Sequence, residues 1–137
     1  FERYGNFNTA LGRSGSNPLG GEEKDFFMRM RSQGIRYYFV PGAAIRHITP
    51  ASKLSEEYFE RLTRMIGVSE RIRTLGEGKS AFRRRLLAEA VKWGGTLVLA
   101  TGYVLRGQAI KGRYLIRMRR NITQGLLRGM PPAERDA

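Results

Sequence analysis

The sequence has no cysteine, a single histidine and a single tryptophan. Without cysteine there is neither a disulfide framework nor a thiolate metal site, which fits a reducing compartment. No apolar leader opens the chain, whose first residues are polar and rich in glycine and asparagine. It starts at Phe1 and not at a methionine, so a processed chain or a fragment is expected. The uncharged run Trp93–Leu105 has 13 residues, short of the ~18–20 that cross a bilayer. There is no Asp-x-Asp, no glycine-rich turn between a strand and a helix, and no internal repeat. Acidic residues are scarce in the second half. Residues 69–130 hold 14 Lys and Arg against 3 Asp and Glu, whereas residues 1–68 hold 10 against 7. The whole chain carries +13, so that second half calls for an anionic partner.

What is present falls into segments. Residues 1–19 are rich in turn formers and read as a long loop, of the kind that rims active sites. Residues 22–33 have a helical pattern, and Gly34 supplies its stop. Ile35–Val40 is rich in β-branched and aromatic residues and predicts a strand ended by Pro41-Gly42. Residues 43–48 predict a second short strand, with His47 near its end. Ser55 is a good N-cap for a helix with an apolar face that runs to Gly67, followed by a short helical piece to residue 75. After the break Gly76-Glu77-Gly78, long helices are predicted over 80–105 and 108–127, then a polar, disordered tail over 131–137.

The stretch Gly20-Gly21-Glu22-Glu23-Lys24-Asp25-Phe26-Phe27 organises the first half. Its glycines permit a tight turn, and its acids stand where a helix N-terminus favours negative charge. Taken alone, the acids need do nothing but answer the helix dipole. In order along the chain come Phe7-Asn8-Thr9-Ala10-Leu11-Gly12, the Gly-Gly-Glu-Glu run, Arg29, Gly34, Tyr38-Phe39-Val40-Pro41 and Ile45-Arg46-His47. This ordered set resembles the C-terminal half of the catalytic domain of family 2 glycosyltransferases, inverting enzymes of the GT-A fold. The resemblance covers residues 1–75. It implies an α/β fragment, the acceptor-side half of a Rossmann-like domain, followed by a basic and mostly helical extension over 76–130. It also implies that Glu23 is the general base that deprotonates an acceptor hydroxyl as it attacks the anomeric carbon of a nucleotide sugar. Most relatives have Asp at that position. By the same resemblance Glu22 orients the loop, and Asp25 with Gly20 and Gly21 contacts the acceptor. His47 completes a divalent metal site, Mg or Mn, whose other ligands lie outside this chain. The nucleotide-binding half is missing, so the fragment is expected to be inactive alone. The implied partners are a nucleotide-sugar donor and a glycan or lipid-linked acceptor of surface polysaccharide or glycolipid synthesis.

Four readings compete for residues 80–130: a membrane span, a pair of helices lying on a membrane surface, a nucleic-acid binder, and a solvated basic face packed on another domain. The surface reading ranks first. Basic side chains would sit at headgroup level, with Leu, Ile, Tyr and Trp below them. Packing on another domain ranks second and nucleic acid third, because no recognised motif and no aromatic stacking platform accompany the charge. The expected location is cytoplasmic, peripheral on the inner face of the membrane. The alternative to an enzyme is a non-catalytic basic helical module that binds a membrane surface or nucleic acid.

Overall fold

The computed structural model describes residues 4–11 and 19–130. Four helices make up the fold: α1 (Glu22–Ser32), α2 (Glu56–Glu77), α3 (Lys79–Leu105) and α4 (Ala109–Arg128), with a 3₁₀ turn at Ala51–Leu54. Among the described residues there is no strand. The expected α/β, Rossmann-like architecture is therefore wrong, and the described chain is an all-helical domain. The Pro41-Gly42 turn does form, with the Ala43 amide donating to the Val40 carbonyl at 3.0 Å. Its two arms, 35–40 and 43–48, do not pair. Phe39 and Ile45 are 89% and 92% exposed. β-propensity describes how a side chain fits an existing pleated surface. Without a neighbouring ladder for its N–H and C=O groups, this apolar stretch has nothing to be a strand in. The tail at 131–137 and parts of the first loop, residues 1–3 and 12–18, lie outside the described residues.

The three long helices pack together. Contacts between α2 and α4 advance in parallel: Glu56 meets Arg117, Thr63 meets Asn121, and Arg71 meets Leu126. Those between α3 and α4 run the other way, from Glu89 with Thr123 to Thr96 with Arg119. Residue 75, where the resemblance ends, lies within α2, so the bundle forms across that position.

Gly67 was expected to end a helix. Instead it sits in the middle of α2, at the crossing with α4. A Cβ on Gly67 would lie 2.0 Å from the Ile122 carbonyl oxygen, and one on Gly125 would lie 2.1 Å from the Arg64 carbonyl oxygen. Each helix thus presents a glycine to the other's backbone. Gly112 of α4 approaches the Ala100 carbonyl of α3 similarly, at 3.0 Å from an added Cβ. The chain does break at Gly78, whose φ of +117° suits glycine. The buried apolar cluster beside the crossing is small: Leu19, Met65 and Val68, with Ile72 and Met130 against them.

The side of α3 turned away from the bundle is apolar and open. Leu87, Val91, Val98 and Leu105 repeat at helical spacing and are 70%, 77%, 73% and 82% exposed. Glu89, the one acid of α3, faces inward and is buried. Trp93 is not on the outer stripe. Its indole N–H donates to Thr123 Oγ1 of α4 at 3.0 Å.

Helix propensity alone makes Gly→Ala favourable by about 1 kcal/mol in a helix interior. The crossing reverses that sign. Gly67→Ala should lower the unfolding free energy by about 1–3 kcal/mol through overpacking. Gly94→Ala on α3, where an added Cβ meets nothing within 4 Å, should raise it by about 0.5–1 kcal/mol. Urea midpoints of the two variants check this, and a neutral or stabilising Gly67→Ala would contradict the close crossing.

Candidate functional site

The acidic turn is built by backbone geometry. Gly21 stands at the N-cap of α1 with φ +104°, a left-handed conformation that disfavours a side chain. The Asp25 amide donates to its carbonyl at 2.9 Å. Glu22, Glu23 and Asp25 occupy the first turn, where the helix dipole favours negative charge. The three acids then diverge. Asp25 is buried and accepts from Arg29 Nε at 3.0 Å. Arg29 in turn donates to the carbonyls of Tyr4 and Asn6, at 2.8 and 2.6 Å, and so holds the preceding loop against α1. Asp25 therefore acts through Arg29 to position that loop and does not open onto solvent. Glu22 is half-buried and Glu23 is exposed. Neither has a hydrogen-bond or ion-pair partner among the described residues.

Behind the turn lies a cleft of about 280 Å³. Gly20, Gly21 and Lys24 form one wall. Leu62, Met65 and Ile66 of α2 form the other. Ser69 and Glu70 close one end, and Ser69 Oγ is buried there without a partner among the described residues. Lys24 reaches across to an ion pair with Glu70, which fastens the acidic turn to α2.

Glu70 is the hub of a buried ionic network that links all four helices. It accepts from Lys24 of α1, from Arg73 Nη2 on its own helix at 3.0 Å and from Arg85 Nε of α3 at 3.1 Å. Arg85 also donates to Glu89 at 2.7 Å, and Glu89 accepts from Arg119 of α4 at 3.0 Å. Burial raises the pKa of the Glu70 carboxyl, but hydrogen bonds from Lys24 and Arg73 outweigh it and bring the pKa down to about 2. Glu89 follows the same pattern. Burial raises its pKa, and the bonds from Arg85 and Arg119 pull it below the ordinary carboxylate value. The sequence reading missed this network. Its signal was present, because residues 69–130 carry only Glu70, Glu77 and Glu89 as acids amid 14 basic residues. Each of the three carboxylates is paired.

His47 lies on the irregular segment between α1 and α2 and is exposed, not at the end of a strand beside the acidic turn. None of the described clefts is lined by both His47 and Glu23. Among the described residues no group of three or more His, Asp or Glu side chains is placed to hold a cation. A single imidazole does not supply the several oxygen ligands that Mg²⁺ requires. The described residues alone therefore do not make up a complete metal site.

The folded Glu70 pKa lies below its unfolded value. Its stabilisation is therefore fully present above about pH 4.5 and is lost as pH falls toward about 2. Glu89 contributes with the same sign. The loss traceable to Glu70 should be on the order of 2–3 kcal/mol between about pH 7 and about pH 2. NMR titration of the Glu70 carboxyl carbon, with urea midpoints across that window, measures both quantities. A midpoint near an ordinary glutamate value would break the account of the network.

Compared with family models, with curated proteins and with solved structures, the chain has no match.

Proposed function

We propose that this chain carries the acceptor-side carboxylate of an inverting glycosyltransferase, with Glu23 as the general base. The observation that carries the reading is the division of labour around the Gly20-Gly21 turn. Asp25 is engaged by Arg29, and Glu70 by Lys24, Arg73 and Arg85. Glu23 is left exposed at the lip of the turn and has no partner among the described residues. A carboxylate so placed accepts a proton from a hydroxyl brought within about 2.6–3.2 Å, directly or through one water. As the acceptor oxygen bonds to the anomeric carbon, its proton passes to Glu23, and the bond to the leaving diphosphate breaks with inversion. Glu22 beside it shapes the turn. The cation that the family resemblance implies on the diphosphate would take its ligands from outside the described residues, and no step here depends on it. The donor would be a nucleotide sugar, and the acceptor a glycan or a lipid-linked glycan.

No helix among the described residues is long and apolar enough to cross a membrane. We place the protein at the cytoplasmic face of the membrane, with the outer stripe of α3 against lipid. Arg83 and Arg84 precede that stripe, Arg106 follows it, and no acid faces outward along it. Apolar burial and attraction to anionic headgroups would then act together.

In the complete enzyme, Glu23→Gln should leave donor binding intact and lower transfer by roughly 10²–10⁴-fold. Near-normal turnover would remove Glu23 from the role. For the membrane reading, the chain should float with vesicles containing phosphatidylglycerol and not with neutral ones. Val91→Glu with Val98→Glu should abolish flotation while leaving the helical circular dichroism unchanged. Unaltered flotation of that double variant would sink the α3 assignment.

A further inference from the structure

A second cleft, of about 350 Å³, opens between α2 and α4 on the N-terminal side of their glycine crossing. It is lined from α2 by Arg61 and Arg64, and from α4 by Arg117 and Arg120. Within each helix these residues are three apart and share a face. The Gly67–Gly125 contact draws the two helices together, so the arginine rows oppose each other across a short gap.

Like charges brought together need an answer, and the protein supplies only part of one. Arg117 is met by Glu56 and Glu60. The Arg61 guanidinium lies 5.9 Å from the centre of the Tyr58 ring. Glu57 stands at the cleft as the remaining acid. Arg64 and Arg120 have no hydrogen bond and no ion pair among the described residues, and the Nε of Arg64 is buried without a partner. A buried donor left unpaired is costly, and a guanidinium donor more so. Asn121 and Gln124 add amide groups to the same wall. Asn121 is held in place by its bond to Thr63 Oγ1 at 3.0 Å.

We propose that this cleft binds a phosphate-bearing anion, with Arg64 and Arg120 as its guanidinium ligands. The planar guanidinium fork matches two phosphate oxygens at once. The opening is roomier than a lone ion needs, which favours a diphosphate or a phosphorylated headgroup. The site is separate from the acidic turn and does not depend on the role of Glu23.

The test is calorimetric titration of the full chain with inorganic pyrophosphate. Saturable one-site binding is expected. Arg64→Gln and Arg120→Gln should each weaken it at least about tenfold, the worth of a charge-assisted hydrogen bond. Arg64→Lys should fail to restore it fully, because the ammonium lacks the Nε donor and the fork. Arg31→Gln with Arg36→Gln, which removes two exposed charges that line none of the described clefts, should leave it within about twofold of wild type. Arg120 is exposed, so its variant keeps the test alive if Arg64→Gln does not fold. Absence of pyrophosphate binding, or equal weakening by the Arg31 and Arg36 pair, would overturn the proposal in favour of diffuse positive charge. A final arm adds phosphatidate vesicles. Displacement of pyrophosphate by the vesicles assigns the site to a lipid headgroup, and no displacement assigns it to a soluble diphosphate.

Discussion

Two backbones touch where Gly67 of α2 meets Gly125 of α4, and much of the molecule is arranged by that contact. With side chains removed from the interface, the helices approach more closely than any larger residue permits. The apolar core beside the crossing is correspondingly small, because little volume is left to fill. The same approach brings Arg61 and Arg64 opposite Arg117 and Arg120, and places Arg71 where it can donate to the carbonyls of Leu126 and Leu127 at 3.0 Å. Those carbonyls end α4 and would otherwise be left without intrahelical partners.

Charge does work that apolar burial does in larger domains. Glu70 and Glu89 are 8% and 3% exposed, and each is surrounded by cationic donors from more than one helix. A buried ion pair gives little net stability over an apolar replacement, yet removing one member leaves a costly unpaired charge. Such a network therefore selects one arrangement of α1, α2, α3 and α4 more than it strengthens the fold. It also ties the acidic turn to the bundle, since Lys24 follows directly on Glu23 and ends on Glu70. The apolar and basic surface left over is displayed outward. The outer stripe of α3 is an extended apolar surface bordered by Arg83, Arg84 and Arg106, and the arginine cleft is a confined basic one.

Much of the helical content was legible in the sequence. The start of α1 followed from Gly-Gly and three acids, and that of α2 from the Ser55 cap, whose Oγ accepts from the Tyr58 amide at 3.1 Å. The bounds of α3 and α4 followed from period and from the Gly78 and Gly107 breaks. These signals are local, carried by side chains within a turn of the residue they affect. The strands at 35–40 and 43–48 were misread for the converse reason. Their composition is β-like, but a strand exists only through a partner, and composition does not say whether one is there.

Local sequence signals were enough for the starts of α1 and α2, the bounds of α3 and α4, the excess of positive charge in the second half and the acidic turn. Each depends on neighbours close along the chain. Packing between distant segments made Gly67 a contact and not a stop, and made Glu70 and Glu89 buried hubs. It also brought Arg64 and Arg120 to one cleft and, among the described residues, placed no second ligand group around His47. These outcomes depend on residues far apart along the chain, such as Thr63 and Asn121, 58 positions apart and brought within hydrogen-bonding distance. Helical period says which residues share a face, but the partner of that face is chosen by how closely two backbones can approach.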